Sequence, residues 1–239
     1  LILLTALFCA TFVARFIFPP LIPAIPDDAG LTISPSQAGS LFLAAAVGSM
    51  LGALAAGFVS KAINHRGALF TSMMGIALAL VGAYFATSVW QVRGVFFFMG
   101  LCVGFHIPSS VATITAMVRK EEWGKALSIQ QLAPPLSLVI SPLLAVLLLK
   151  WFAWNTALLW VAGLCALLGI AFMVFFPGVG SFQGDPPNKE FAGPVLRTRS
   201  FWLMILLFAL GMSAQVGVYT VLPLYMTSER GMTASGANT

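Results

Sequence analysis

Seven apolar stretches of membrane-spanning length dominate this sequence and limit the folds that it can adopt. They are residues 1–25, 36–59, 67–87, 90–117, 126–149, 152–176 and 200–226. A transmembrane helix needs roughly 20 apolar residues to cross the hydrocarbon core, whereas a barrel strand needs about ten residues of alternating hydrophobicity. The stretches are long and do not alternate, so they predict an all-α polytopic membrane protein with seven transmembrane helices.

The composition agrees with a lipid environment and excludes several classes of function. Hydrophobic residues make up 59% of the 239-residue chain and charged residues only 8%, whereas soluble domains carry about 25% charged residues. The net charge of +5 comes from cations scattered through the predicted turns, so it does not indicate nucleic-acid binding. The sequence contains no paired-carboxylate, metal-ligand or phosphate-loop motif. We therefore predict neither an enzyme, nor a metal site, nor a bound cofactor.

Basic segments between the apolar stretches orient the chain in the membrane. The segments 60–66, 118–125 and 177–199 together contain eight lysines and arginines, whereas the segments on the opposite side contain three. Because cytoplasmic loops carry the excess of Lys and Arg, these three segments are predicted to be cytoplasmic. The long segment 177–199 links a six-helix bundle, residues 1–176, to residues 200–239, which we expect to form the first helix of a second bundle and the following outer loop.

A short internal repeat supports this division. Gly30-Leu31-Thr32 follows the first predicted helix much as Gly231-Met232-Thr233 follows the seventh, at an offset of 201 residues. Many transporters are built from parallel repeats, with the binding site between the two halves. We therefore expect this chain to be part of a longer protein with two related halves.

The segment from Gly57 to Gly67 resembles the signature that follows the second helix in the major facilitator superfamily. The family pattern is Gly-x-Leu-Ala-Asp-Arg-x-Gly-Arg-Arg, and Gly57, Asn64 and Arg66 fit it in kind. Lys61 stands where the family has an Asp, so the resemblance does not carry over the family's charge pairing at the cytoplasmic gate. We predict instead that Lys61 contacts a carboxylate or the carboxyl end of a helix.

Small residues at four-residue spacing in three of the predicted helices indicate close helix packing. The pattern in the fifth helix resembles a serine version of the family's Gly-x-x-x-Gly-Pro, which is often associated with antiporters. The residues assigned to helix packing are Gly48, Gly52, Gly100, Gly104, Ser137, Ser141 and Pro142.

The resemblance implies a major facilitator-type bundle of twelve helices, of which this chain holds seven. It also implies a small-molecule solute as the partner. We further expect a monomer in the lipid bilayer of a bacterial inner membrane, with no nucleic-acid partner.

Polar side chains near the middle of the predicted helices are candidates for solute binding or coupling. At 1.5 Å per residue, Arg15 lies roughly 18 Å from the acidic loop that follows it, and His106 about 20 Å from the end of its helix. Arg15 could instead pair with a carboxylate elsewhere in the protein, and His106 could be a hydrogen-bonded core residue. The candidate set is Arg15, His106, Gln215, Tyr219 and Thr11.

All seven acidic residues lie outside the predicted helices, so none of these helices offers a carboxylate to a cation or a proton. A cavity that contains Arg15, and His106 when protonated, would be electropositive and would favour an anionic solute. The leading hypothesis is a secondary active transporter of a small anionic organic solute that works by alternating access. If protons are coupled, His106 or a carboxylate beyond Thr239 carries them. A multidrug exporter of the same fold and a non-transporting membrane sensor or scaffold are the alternatives.

Overall fold

Helices form the regular structure throughout the part of the chain that the computed structural model describes, residues 1–25, 31, 33–185, 193–194, 197–228 and 230. The helices are α1 (Ile2–Phe16), α2 (Phe18–Leu21), α3 (Pro35–Tyr84), α4 (Val89–Met117), α5 (Trp123–Gln130), α6 (Ala133–Leu149), α7 (Trp154–Phe175) and α8 (Arg199–Ser228). Each predicted apolar stretch falls on one or two of these helices. The all-α prediction is therefore confirmed.

Five helical segments within the described ranges are long and apolar enough to cross a membrane. They are Ile2–Ala24, Ser36–Tyr84, Val89–Met117, Lys120–Leu149 and Trp154–Phe175. The segment Ser36–Tyr84 contains two of the predicted stretches, 36–59 and 67–87. Both belong to α3, which has a kink at Asn64. The seventh stretch corresponds to α8.

Side-chain caps and prolines determine where several helices begin and end. Ser34 and Gln37 form a capping box at the start of α3: Ser34 Oγ accepts from the Gln37 N–H at 3.3 Å, and Gln37 Oε1 accepts from the Ser34 N–H at 2.9 Å. This exchange satisfies two N–H groups that the helix itself cannot pair. Pro134 and Pro135 follow the end of α5, and because they lack an N–H group they interrupt the hydrogen-bond ladder between α5 and α6.

The helices pack as a bundle in which α3 contacts α1, α4, α7 and α8. Both halves of α3 lie against α4, α7 packs on α3, and α1 packs on α6 and α7. Phe96 of α4 is fully buried and meets the rings of Phe18 and Phe42 edge-on, at centroid distances of 5.1 and 5.7 Å. The helix α8 contacts α3 and the segment 18–24, and most of its described side chains are exposed. The first six apolar stretches thus form one packed unit, with α8 at its edge.

Candidate functional site

The segment 60–66, which we call the gate turn, is a one-residue break in α3 rather than a separate loop. Asn64 has φ 57° and ψ 172°, a conformation that L residues rarely adopt. Its Oδ1 accepts a hydrogen bond from the Gly67 N–H at 2.7 Å and so caps the second half of α3. Asparagine is tolerated at positive φ because its short polar side chain can bond locally. The turn between the apolar stretches 36–59 and 67–87 is therefore shorter than the segment 60–66 that the sequence predicts for it.

Replacing Asn64 with alanine in the full-length protein is expected to reduce its stability by about 1–2 kcal/mol. The variant loses the cap and still carries a β-carbon at positive φ. Asn64→Gly loses the same cap but relieves the backbone strain, so we expect a smaller decrease. Thermal unfolding of both variants in detergent measures the difference, and an equal loss of stability in both would contradict this account.

The two cations of the gate turn that we assign to the family signature lie in different surroundings. Arg66 is half-buried, and its Nη2 donates to the carbonyl oxygen of Met173, near the carboxyl end of α7. A cation is favourable at this end of a helix. Lys61 is exposed and makes no hydrogen bond or ion pair with the residues that the structure describes. The helix-end contact predicted for Lys61 is therefore made by Arg66.

The first part of the predicted linker folds back onto the gate turn. We call residues 179–185 the strap. Backbone hydrogen bonds join it to the gate turn at Ser60, His65 and Arg66. The strap, α3 and α4 together bound a cavity of about 300 Å³, which Gly57 helps to line.

Four glycines bring α3 and α4 into backbone contact. A β-carbon on Gly48 or Gly52 would overlap carbonyl oxygens of α4, and one on Gly100 or Gly104 would overlap carbonyl oxygens of α3. The two Gly-x-x-x-Gly pairs therefore lie opposite each other, as expected of helices that approach closely at small residues. The backbones of α3 and α4 thus fill the seam at these four positions.

The predicted packing residues of α6 lie on its buried side. Ser137 and Ser141 are fully buried, and Pro142 is half-buried. The Ser137 hydroxyl donates to the carbonyl oxygen of Pro134 at 2.6 Å. The Ser141 hydroxyl has no hydrogen-bond partner in the described part of the chain.

Arg15 is the one charged side chain of α1, and the structure leaves it half-buried. Its Nε atom is buried and has no hydrogen-bond partner within the described ranges. The ion pair that is present there, Arg119–Glu122 at 3.4 Å, lies in an exposed turn far along the chain. Burying an unpaired charge is costly, most of all inside a membrane. Arg15 therefore has the character of a group whose partner is a solute or another part of the protein.

Thr11 and His106 do not share an open face with Arg15. Both are fully buried, and the Thr11 hydroxyl donates to a carbonyl oxygen one turn earlier in α1 at 2.9 Å. His106 Nδ1 lies 3.0 Å from Ser72 Oγ, and its ring stacks on Phe8 at 6.1 Å. These contacts join α1, α3 and α4. Packed helices enclose the His106 ring, and its buried Nε2 has no hydrogen-bond partner among the described residues.

The remaining candidates and partners are distributed as follows. Gln215 and Tyr219 belong to α8, but their side chains lie outside the described residues.

The sequence did not identify Ser72 as the partner of His106, because an isolated serine in an apolar helix gives no indication of what it contacts. It also missed the 2.5 Å hydrogen bond from Gln130 Nε2 to Ser110 Oγ, which joins α5 to α4.

Known proteins resemble this chain over most of its length. The chloramphenicol resistance protein of Streptomyces lividans is 25% identical over 237 residues, which cover 97% of this chain and 59% of that protein. The arabinose-proton symporter of Escherichia coli (strain K12) is 28% identical over 151 residues, covering 63% of this chain and 32% of that protein. The chain thus spans only part of the length of these relatives.

A solved structure shows the same fold. It is a bacterial homolog of the human lysosomal transporter Spinster in an inward-facing, unoccupied conformation, with a TM-score of 0.80 and 14% sequence identity. The match covers 99% of this chain and 57% of that one. Residues 3–238 match the Major Facilitator Superfamily. With the helical bundle and the gate turn described above, this match shows that the chain belongs to the Major Facilitator Superfamily of membrane transporters.

Proposed function

We propose that the complete protein is a secondary active transporter that moves a small anionic organic solute by alternating access across a bacterial inner membrane. The proposal depends on one observation: a half-buried arginine in the last turn of α1, Arg15, has a buried Nε without a partner in the described residues. A guanidinium offers five N–H donors in a fixed planar arrangement that matches a carboxylate or phosphate group. A solute of that chemistry would supply the missing acceptors.

The distribution of acidic residues supports an anion rather than a cation. Glu121, Glu122 and Asp185 are the acidic residues that the structure describes, and all three are exposed: the two glutamates directly precede α5, and Asp185 lies in the strap. The other four acidic residues also lie outside the predicted helices. Arg15 thus has no carboxylate among the described residues that would neutralise its charge, which supports a negatively charged solute as its partner.

The burial of His106 changes the proposed route for protons. Its Nδ1 is engaged with Ser72, and its ring is enclosed by α1, α3 and α4. If the protein couples transport to protons, as the name of the arabinose-proton symporter implies for that relative, we place the proton-carrying group in the part of the protein beyond Thr239. His106 is then a core residue that joins helices of the amino-terminal half.

Efflux of drugs by an antiporter of the same fold is the second candidate function. It is favoured by the relative named a chloramphenicol resistance protein. It is also favoured by the Ser137-x-x-x-Ser141-Pro142 pattern on the buried side of α6, where the Ser141 hydroxyl lacks a described partner. An exporter of basic drugs would need an embedded acid, which the described helices do not contain.

Ligand-induced stabilisation of the purified full-length protein tests the proposal. Thermal unfolding is measured with succinate, lactate and benzoate, and with the lipophilic cations ethidium and tetraphenylphosphonium. A ligand at ten times its dissociation constant stabilises the folded state by about 1.4 kcal/mol, which raises Tm by a few degrees. We expect at least one anion and neither cation to do so. Stabilisation by the cations alone would favour efflux, and no response to any of the five compounds, with no uptake into proteoliposomes, would favour a sensor or scaffold.

A further inference from the structure

Two hydrogen bonds align the strap with the gate turn. The His65 N–H donates to the carbonyl oxygen of Phe182 at 3.2 Å, and the Arg66 N–H donates to that of Gly180 at 2.8 Å. The rings of His65 and Phe182 also contact each other, with their centroids 4.7 Å apart. The two N–H groups lie at the break in α3, where the helix does not provide acceptors for them. The strap therefore satisfies donors that the gate turn would otherwise leave unpaired.

Glycines allow the strap to lie directly on the bundle. The Gly184 N–H donates to the Ser60 carbonyl oxygen at 3.2 Å, and a β-carbon on Gly184 would overlap Ser60 Oγ. Gly180 has φ +74°, which favours glycine, and a β-carbon there would lie 3.1 Å from both the Arg66 nitrogen and Thr113 Oγ1. The strap thus touches α3 and the end of α4 together.

The contacts of the strap and of the gate turn connect three helix ends. The strap bridges α3 and α4, and Arg66 reaches from the gate turn to the carbonyl of Met173 on α7. We propose that the strap is a fixed positioning element, which holds the gate turn on α4 and α7 and moves with them as one rigid body. The amino-terminal moving unit then extends to Asp185, beyond the boundary at 176 predicted from the sequence. The rigid-body part of this proposal rests on the proposed alternating access.

A substitution with a matched rescue tests the docked geometry without any transport assay. Gly184→Ala in the full-length protein should lower Tm by about 5 °C, because the new methyl group overlaps Ser60 Oγ. The double variant Ser60→Gly/Gly184→Ala should return to the Tm of Ser60→Gly alone. Gly178→Ala is the control, since a β-carbon there meets nothing within 4 Å. If Gly184→Ala behaves like Gly178→Ala, or the double variant is no better than Gly184→Ala, the docked strap is refuted.

Cross-linking tests whether the strap stays docked while the protein works. Cysteines replace His65 and Phe182, with Cys9, Cys102 and Cys165 changed to alanine, and oxidation forms the disulfide. His65→Cys with Ser181→Cys is the control, because Ser181 is exposed and its hydroxyl donates to Pro177. We expect a high yield for the first pair only, and uptake of succinate, lactate or benzoate within about twofold of the reduced protein.

A tenfold loss of uptake that reducing agent restores would show that the strap leaves its site during the cycle and would overturn the proposal. Failure of the first pair to cross-link would overturn it as well. Absence of uptake in the unmodified protein would instead count against the proposed function. The cross-linking yield and the Gly184 rescue would still decide the position of the strap.

Discussion

Replacing Arg15 with glutamine in the full-length protein is expected to weaken the binding of the organic anions by about 10- to 100-fold. Hydrogen bonds to charged groups are worth about 1.5–3 kcal/mol, which corresponds to that range of affinity. Arg15→Lys keeps the charge but loses the planar arrangement of donors, so we expect an intermediate loss. Thermal-shift titrations with succinate, lactate and benzoate measure all three proteins.

The thermal stability of Arg15→Gln distinguishes a solute-binding role of Arg15 from a role in a structural ion pair. Because Arg15 Nε is buried without a described partner, a neutral glutamine should leave the ligand-free protein equally stable or raise its Tm. If Arg15 pairs with a carboxylate of the other half instead, the substitution should lower Tm strongly, since it would leave that carboxylate unpaired. A lower Tm with unchanged anion affinity would thus contradict the proposed role.

Arg93 provides a matched control for these measurements. Its Nε donates to Ser40 Oγ at 2.9 Å, and its guanidinium lies 4.4 Å from the ring centroid of Trp90. Arg93→Gln removes both contacts at the end of α4 where the helix begins. We expect this variant to lose some stability and to keep the anion affinity of the unmodified protein, the opposite pattern to Arg15→Gln.

Replacing Gly104 with alanine is expected to destabilise the full-length protein by about 1–3 kcal/mol, or to prevent its folding. The new β-carbon would overlap the Ser49 carbonyl oxygen and would lie 2.8 Å from the Ala53 nitrogen and 2.9 Å from the Gly52 Cα atom. These are backbone atoms of α3 and cannot move aside independently, so α3 and α4 must separate. Such a separation forfeits the close packing along the whole seam.

Gly94 lies on the same helix and provides the comparison. A β-carbon there meets nothing within 4 Å, and alanine is the better helix former by about 1 kcal/mol. We therefore expect Gly94→Ala to be as stable as the unmodified protein or slightly more stable. Thermal unfolding in detergent and the yield of folded protein measure both variants, and similar behaviour of the two would argue against backbone contact at Gly104.

Several features of the fold could be read from short stretches of sequence because they depend on local properties. Apolar length predicts where helices cross the membrane, and the seven stretches correspond to the observed helices. The spacing of Gly48, Gly52, Gly100 and Gly104 indicates faces where backbones can approach. The signature around Gly57 and Asn64 indicates the family, whose match covers residues 3–238.

Side-chain partners could not be read in the same way. The helical position of His106 predicts its depth in the membrane, but not that its ring meets Ser72, 34 residues away. Arg66 and Lys61 are both cations of one turn, yet only Arg66 reaches a carbonyl 107 residues further along the chain. These choices depend on how the helices are rotated against one another, which no periodicity specifies.

Apolar length and charge in the sequence alone indicated a helical membrane protein, which the observed helices and the family match confirm. They also identified Arg15 as a charge inside the first apolar stretch. The orientation in the membrane stays a prediction. Hydropathy, charge and residue spacing are properties of one segment at a time, so they can be evaluated without knowing which segments contact one another. The tertiary structure alone showed that Thr11 and His106 are fully buried, that Arg66 makes the helix-end contact, and that the strap lies on the gate turn. Each of these depends on contacts between distant segments, which form only when the helices pack.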